Sequence, residues 1–220
     1  FDTMSELLWV GSASGQLTSH TGALPTLPRY TSLAAHGVPK QPRHVRGILS
    51  DDKFIISLSE GRVCASQRQG LGRWSMQIED HAPGVALAGL CASPQSASSD
   101  IIVGGAAPNS HDALFALHSI SGRVVRSAVS DGTVTQLRKG SRYLCVGTEQ
   151  GTIQLHDPRS LRAEHKLPAH HGGLIDLQTD GHLIYSIGWT LRQGRRIPEP
   201  FIKAQAVRTL QALFPTPLTA

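Results

Sequence analysis

Histidine is the residue with the most chemical promise here, because His156, His165, His170 and His171 fall in one short stretch. An imidazole titrates near neutrality and serves equally as proton carrier, metal ligand or hydrogen-bond hub. A structural zinc site needs four ligands at a recognisable spacing, and no such spacing repeats. A hydrolytic use of these side chains would predict metal-dependent activity lost on H170A or H171A. Serine offers less. The run Gly11–Gly15 (GSASG) sets its serines one position off a nucleophile elbow and inside a hairpin turn, where serine serves turn chemistry. Carboxylates offer less again. Two-metal phosphodiester chemistry calls for several inward acids, and no Asp-x-Glu pair occurs; Asp51, Asp52, Asp131 and Asp180 sit at turns. The reading is therefore of a chain without catalytic residues and without a metal or cofactor of its own.

Cys64, Cys91 and Cys145 each lie in an apolar run and form no CxxC pair, so buried, reduced thiols are expected. The net charge of +5 comes mostly from arginine. Arg43 and Arg46, with His44, make one basic cluster; Arg192, Arg195 and Arg196 make another; Arg68 and Arg73 make a third. Arg43, Arg46, Arg192, Arg195 and Arg196 are a candidate basic contact patch for phosphates. No aromatic pair of the kind that stacks bases accompanies them, which argues against base-specific readout and against DNA.

Short strands must carry these residues. Tyr143–Thr148 is an apolar, β-rich run, Glu149-Gln150-Gly151 a turn, and Thr152–Asp157 an alternating strand with Ile153 and Leu155 inward and Thr152, Gln154 and His156 outward. Ala163–Leu167 can add an outer strand and Leu174–Leu177 opens the next unit. The same hairpin recurs, over 6–20, 54–66, 100–118, 143–157 and 182–210. A small residue closes the first strand of each, at Gly11, Ser59, Gly104, Gly147 and Gly188, with steps of 41 to 48 residues. A four-stranded unit of that period cannot bury both its faces alone, so it stacks on copies of itself. The sequence therefore predicts an all-β, WD-type β-propeller with about five of seven blades and incomplete terminal blades, a piece of a longer protein. After Trp189 the pattern decays into RQGRRIPEP, a basic insertion. No run of apolar residues is long enough for a transmembrane helix, and no membrane role is expected. Gly11, Gly104, Gly147, Asp157, His170, Asp176 and Gly188 are assigned to blade structure. A histidine at the start of a WD-type blade typically hydrogen-bonds within it near an aspartate, and Asp157 and Asp176 are placed in that network.

Several stretches also fall in a familiar order: ELLWVGSASGQLTS (Glu6–Ser19), RYTS (Arg29–Ser32), RQGLGRW (Arg68–Trp74), GTEQGTIQLHDPRSL (Gly147–Leu161), HHGGLIDL (His170–Leu177) and VRTLQALFPTPL (Val207–Leu218). Together they resemble the N-terminal WD-repeat propeller of the catalytic subunit of the poly(A) nuclease deadenylation complex, the poly(A)-binding-protein-dependent poly(A)-specific ribonuclease. The resemblance implies a cytoplasmic protein of mRNA decay, present also in mRNA processing bodies. It implies a non-catalytic scaffold that docks a pseudokinase-like regulatory subunit and poly(A)-binding protein on poly(A) RNA. It places the Mg2+-dependent acidic exonuclease site in a domain that this sequence does not contain, so no family catalytic residue carries over. An unrelated WD-repeat interaction adaptor is the alternative. The sequence departs from the family pattern at Ile187-Gly188-Trp189-Thr190 and at Ala206.

Overall fold

A computed structural model describes residues 7–21, 32–34, 37–38, 41–42, 44–50, 54–59, 61–67, 73–77, 86–92, 100–106, 112–199, 201–206 and 212–217. Every regular element among them is a strand. The first sheet holds β1 (Leu7–Gly11), β2 (Gln16–Thr21) and β3 (Ser32–Ala34) in that order. A two-stranded ribbon follows, of β4 (Gly37–Val38) and β5 (Gln41–Pro42). The second sheet is β6 (Gly47–Ser50), β7 (Phe54–Leu58), β8 (Arg62–Gln67) and β9 (Arg73–Gln77). The third is β10 (Ala86–Ala92), β11 (Asp100–Ala106), β12 (Asp112–His118) and β13 (Val124–Val129). The fourth is β14 (Val134–Lys139), β15 (Leu144–Thr148), β16 (Thr152–His156) and β17 (Ala163–Pro168). The last contains β18 (Gly173–Thr179), β19 (Leu183–Arg192), β20 (Arg195–Pro198), β21 (Phe201–Ala206) and β22 (Ala212–Pro217), ordered β18-β19-β21-β22 with β20 paired to β19.

All pairings among the described residues are antiparallel and join sequence neighbours, except that β19 also pairs with β21 across the β20 excursion. Contacts between sheets run through their leading strands, β6 to β10, β10 to β14 and β14 to β18, with β1 against β6. The sheets therefore follow one another around an arc in chain order, which is the blade arrangement of a propeller.

Strand alternation explains how the arc holds together, and it revises the inward-outward reading of the fourth blade. Successive side chains of a strand point to opposite faces. In β11, Ile101 and Val103 join a core with Phe54, Ile56 and Leu58 of the second sheet, while Ile102 joins Val134, Leu137, Leu144 and Val146 of the fourth. In β15, Leu144 and Val146 face the third sheet, and Cys145 packs with Ile153, Leu155, Leu174 and Ile184 toward the last. A middle blade has no solvent face near its inner strands. Thr152, Gln154 and His156 are accordingly buried with Ile153 and Leu155, because the neighbouring blade covers the side that a free-standing hairpin would expose to water.

Two of the periodic glycines have a reason in this packing. A Cβ at Gly147 would lie 3.0 Å from Leu174 Cδ2 of the next blade, and one at Gly104 would lie 3.0 Å from Val134 Cγ1. The small residue lets the following blade seat its first apolar side chain against bare backbone. A polar latch acts further out. Trp74 of β9 donates its indole N–H to the Ser119 carbonyl at 2.7 Å, and Gly122, at φ 68°, leaves room for the ring.

The stretch after Trp189 is regular, in contrast to the insertion that the sequence suggests. β19 runs on to Arg192, turns at Gln193-Gly194, and returns as β20. Gln193 and Gly194 have φ of 52° and 75°, the left-handed pair that a two-residue hairpin turn requires. Strand composition missed this because Arg and Gln carry little β signal; the Gln-Gly dipeptide between two runs was the available clue.

Candidate functional site

His170 is the chemical centre of the last blade. Ala169 and His170 link β17 to β18, and both their amides donate to the Gly151 carbonyl at 2.9 Å. Gly151 sits at φ 76° in the β15–β16 turn, where a Cβ would meet the His170 carbonyl oxygen at 2.3 Å. The imidazole is thus delivered into the last blade by the turn of the one before. Its Nε2 lies 3.0 Å from Ser186 Oγ on β19, and its Nδ1 lies 2.9 Å from Glu199 Oε2. Glu199 also accepts the His171 amide at 3.2 Å and pairs with Lys203 Nζ at 3.0 Å. Lys203 stands opposite Ser186 in the register and donates to the Ala169 carbonyl as well.

Charge follows from these contacts. Burial alone would raise the Glu199 carboxyl, but donors from His170, Lys203 and the His171 amide outweigh it and bring it down to about 2. His170 is pushed below its ordinary value, first by burial, against the pull of Glu199. A neutral ring beside an ionised Glu199 carries its proton on Nδ1 and accepts from Ser186 at Nε2.

Serine, histidine and acid in that order reproduce the polarity of a hydrolase relay. Access separates the two. The His170 side chain is fully buried and Ser186 is 1% exposed. A nucleophile must meet its substrate atom at about 3 Å, and a hydroxyl enclosed between strands meets none. The relay is a pin that fastens a loop, a central strand and the base of the β19–β20 ribbon to one another. Gly188 makes it possible, since a Cβ there would fall 2.1 Å from His170 Cγ.

The other positions are distributed around this centre. The sequence reading put Asp157 and Asp176 in one network with His170; the structure separates all three, and Glu199 takes the acidic role. Asp157 caps its own turn, accepting the Arg159 and Ser160 amides at 3.1 Å and the Ser160 hydroxyl at 2.8 Å. Asp176 pairs with Arg138 of the preceding blade at 2.9 Å, a half-exposed tie between leading strands. Glu199 escaped notice because it stands in a Pro-Glu-Pro segment that carries no periodic signal.

His156 forms a second buried centre. Its Nδ1 lies 2.8 Å from the Leu161 carbonyl and its Nε2 lies 2.9 Å from Gln154 Oε1, while Gln154 Nε2 donates to the Asp131 carbonyl at 2.7 Å. Burial pushes His156 below its ordinary value and favours the neutral ring, whose Nδ1–H donates to the Leu161 carbonyl. Leu161, at φ 57° and fully buried, holds its carbonyl against the ring. His165 is exposed and edges onto Tyr143; His171 is exposed too. Among the described residues no group of three His, Cys, Asp or Glu side chains is placed to hold a metal ion. Burial pushes the Cys64 thiol up to about 11 and those of Cys91 and Cys145 up to about 12.

The basic patch divides. Arg43 lies outside the described residues. Arg46 is exposed just before β6 in the second sheet, while Arg192, Arg195 and Arg196 sit on the ribbon of the last, with two sheets between. Arg196 stacks 4.5 Å over the Trp189 ring and approaches Glu149 at 3.7 Å.

Stacked antiparallel blades, with a buried histidine pin in the last, define a WD-type β-propeller. The match extends to one family: the model described as PAN2 N-terminal covers residues 1–219, and the chain belongs to that family. A Schizosaccharomyces pombe relative, named PAN2-PAN3 deadenylation complex catalytic subunit pan2, is 32% identical across all of this chain. The protein of the same name from Aspergillus oryzae is 33% identical over an equal share. The chain spans 19% and 18% of those two relatives. Among solved structures, the Neurospora crassa Pan2 WD40 domain superposes with a TM-score of 0.81 at 25% identity, covering 99% of this chain and 64% of that one. The WD40 propeller of Doa1, at 14% identity and a TM-score of 0.74, covers 100% of this chain and 67% of its own, and shares the fold alone.

Proposed function

We propose that this chain is the non-catalytic propeller scaffold of a poly(A)-specific 3′-exoribonuclease subunit. It docks a pseudokinase-like regulatory subunit and engages poly(A) RNA coated with poly(A)-binding protein, in the cytoplasm and in mRNA processing bodies. The observation that carries this reading is the family match over residues 1–219, together with relatives whose names place them in a PAN2-PAN3 deadenylation complex. Enclosure of the Ser186–His170–Glu199 relay supports the absence of chemistry in this part of the protein. Mg2+-dependent cleavage belongs on this reading to an exonuclease domain elsewhere in the subunit.

The test is a full-length subunit carrying G188A with H170A, compared with wild type. Capture of the regulatory subunit and removal of poly(A) from protein-coated RNA should both fall. Cleavage of short, bare oligoadenylate by the exonuclease should persist. Full activity on coated RNA and full capture of the regulatory subunit, at a temperature above the variant propeller's own melting point and below that of wild type, would overturn the scaffold reading.

A further inference from the structure

The ribbon formed by β19 and β20 has no structural need to be as it is. Past Trp189 it leaves the blade as two strands, and a Cβ on its tip residue Gly194 would meet nothing within 4 Å. Its register pairs Thr190 with Ile197, Leu191 with Arg196 and Arg192 with Arg195. Directly paired residues share a face, so one face carries Thr190, Arg192, Arg195 and Ile197. Arg192 and Arg195 stand opposite each other, exposed, and neither guanidinium group has an ion pair or hydrogen bond with any described residue. Like charges in that position destabilise a ribbon, and two-stranded ribbons are marginal to begin with. One arginine would suffice to keep an open edge from pairing with another chain. Ile197 at 40% exposure and Leu191 at 62% add apolar surface to the same short element.

The base, by contrast, is fixed. Arg196 stacks on Trp189, the Glu199 amide donates to the Gly188 carbonyl at 2.9 Å, and the Glu199 carboxylate is held in the His170 pin. A rigid stalk thus presents unneutralised guanidinium groups beside an exposed branched aliphatic side chain. Interface centres favour this mixture of Arg with large apolar groups.

We propose that the Arg192–Arg195–Ile197 face of the ribbon is a docking surface for an extended acidic segment of a partner protein. The segment's carboxylates meet the two guanidinium groups in forked hydrogen bonds, and a large apolar side chain covers Ile197. Nucleic acid fits the face less well. The indole of the ribbon already lies under Arg196, leaving no free aromatic ring for a base to stack on. The inference names the chemistry of one contact and does not depend on which complex the chain joins.

The test uses the full-length protein and two probes: a fluorescein-labelled peptide alternating glutamate with leucine, and an oligoadenylate of matched charge. Wild type should bind the peptide with a salt-dependent anisotropy change. R192E/R195E should weaken it about tenfold or more, R192Q/R195Q should weaken it less, and I197S about fivefold, all without a change in melting temperature. The oligoadenylate should bind all four proteins alike. The proposal is overturned if wild type ignores the peptide, if the charge reversal changes its affinity less than about twofold, or if oligoadenylate takes the loss instead. Because the peptide is titrated against the subunit alone, failure here leaves capture of the regulatory subunit as a separate question.

Discussion

Gly188→Ala is the most informative single substitution, because it adds one methyl group where the blade has no room. The new Cβ would lie 2.1 Å from His170 Cγ and 2.3 Å from its Nδ1. The ring cannot swing aside into water, since its side chain is fully buried. Either β19 moves away from the 169–170 loop or the imidazole leaves its position. Overpacking of a tight core costs about 1–3 kcal/mol. Displacing the ring also leaves Ser186 Oγ without its partner, while Glu199 keeps Lys203 and the His171 amide, and a buried group left unpaired costs about 1–3 kcal/mol. Together the expected loss is about 2–6 kcal/mol, which for a domain of this size lowers the melting temperature by roughly 10 °C. The assay is thermal and urea unfolding of wild type, G188A, H170A and the double variant. Because both substitutions disrupt one pin, the double variant should be far less destabilised than the two effects added. Gly194→Ala is the control: unlike Gly188 it has a positive φ, of 75°, and an empty neighbourhood, so only backbone strain of about 1 kcal/mol applies. A G188A melting temperature within about 2 °C of wild type, or simple additivity with H170A, would refute the reasoning.

Acid should destabilise the fold in two steps. His156 and His170 both titrate below their ordinary value of 6.5, so the unfolded chain takes up their protons first; their contribution is complete above that pH and is lost as pH falls below it. Glu199, held at about 2, contributes above its ordinary 4.5 and loses that contribution only on further acidification. Melting temperatures from pH 8 to pH 5 should therefore decline, and H156Q/H170Q should flatten the curve. Trp74→Phe removes the 2.7 Å bond to the Ser119 carbonyl at a cost of about 1 kcal/mol, with faster amide exchange at residues 119–122 as its local signature. Ser186→Ala should lower stability by about 1 kcal/mol and leave every esterase or peptidase background unaltered, whereas a working relay would lose its activity. Cys91 and Cys145, with thiols near 12, should react with a thiol reagent only at the rate of unfolding.

The sequence alone determined the fold class and the blade period. Both depend on local alternation, on turn residues such as Gly151, and on small residues like Gly147 recurring at the propeller spacing, all of which are written in single strands. Motif order determined the family for the same reason, since PAN2 N-terminal similarity is a property of residues in line. Tertiary structure decided everything that depends on a second blade. It buried Gln154 and His156, which a lone hairpin would leave wet, because the neighbouring sheet supplies the covering face. It gave His170 a glutamate, Glu199, brought in from 29 positions along the chain, and left Asp157 to its own turn and Asp176 to Arg138. It also turned a basic, Pro-flanked stretch into a projecting ribbon and divided Arg46 from Arg192, Arg195 and Arg196. Periodicity reports which residues face away from one another within a strand; only packing reports what each of those faces meets.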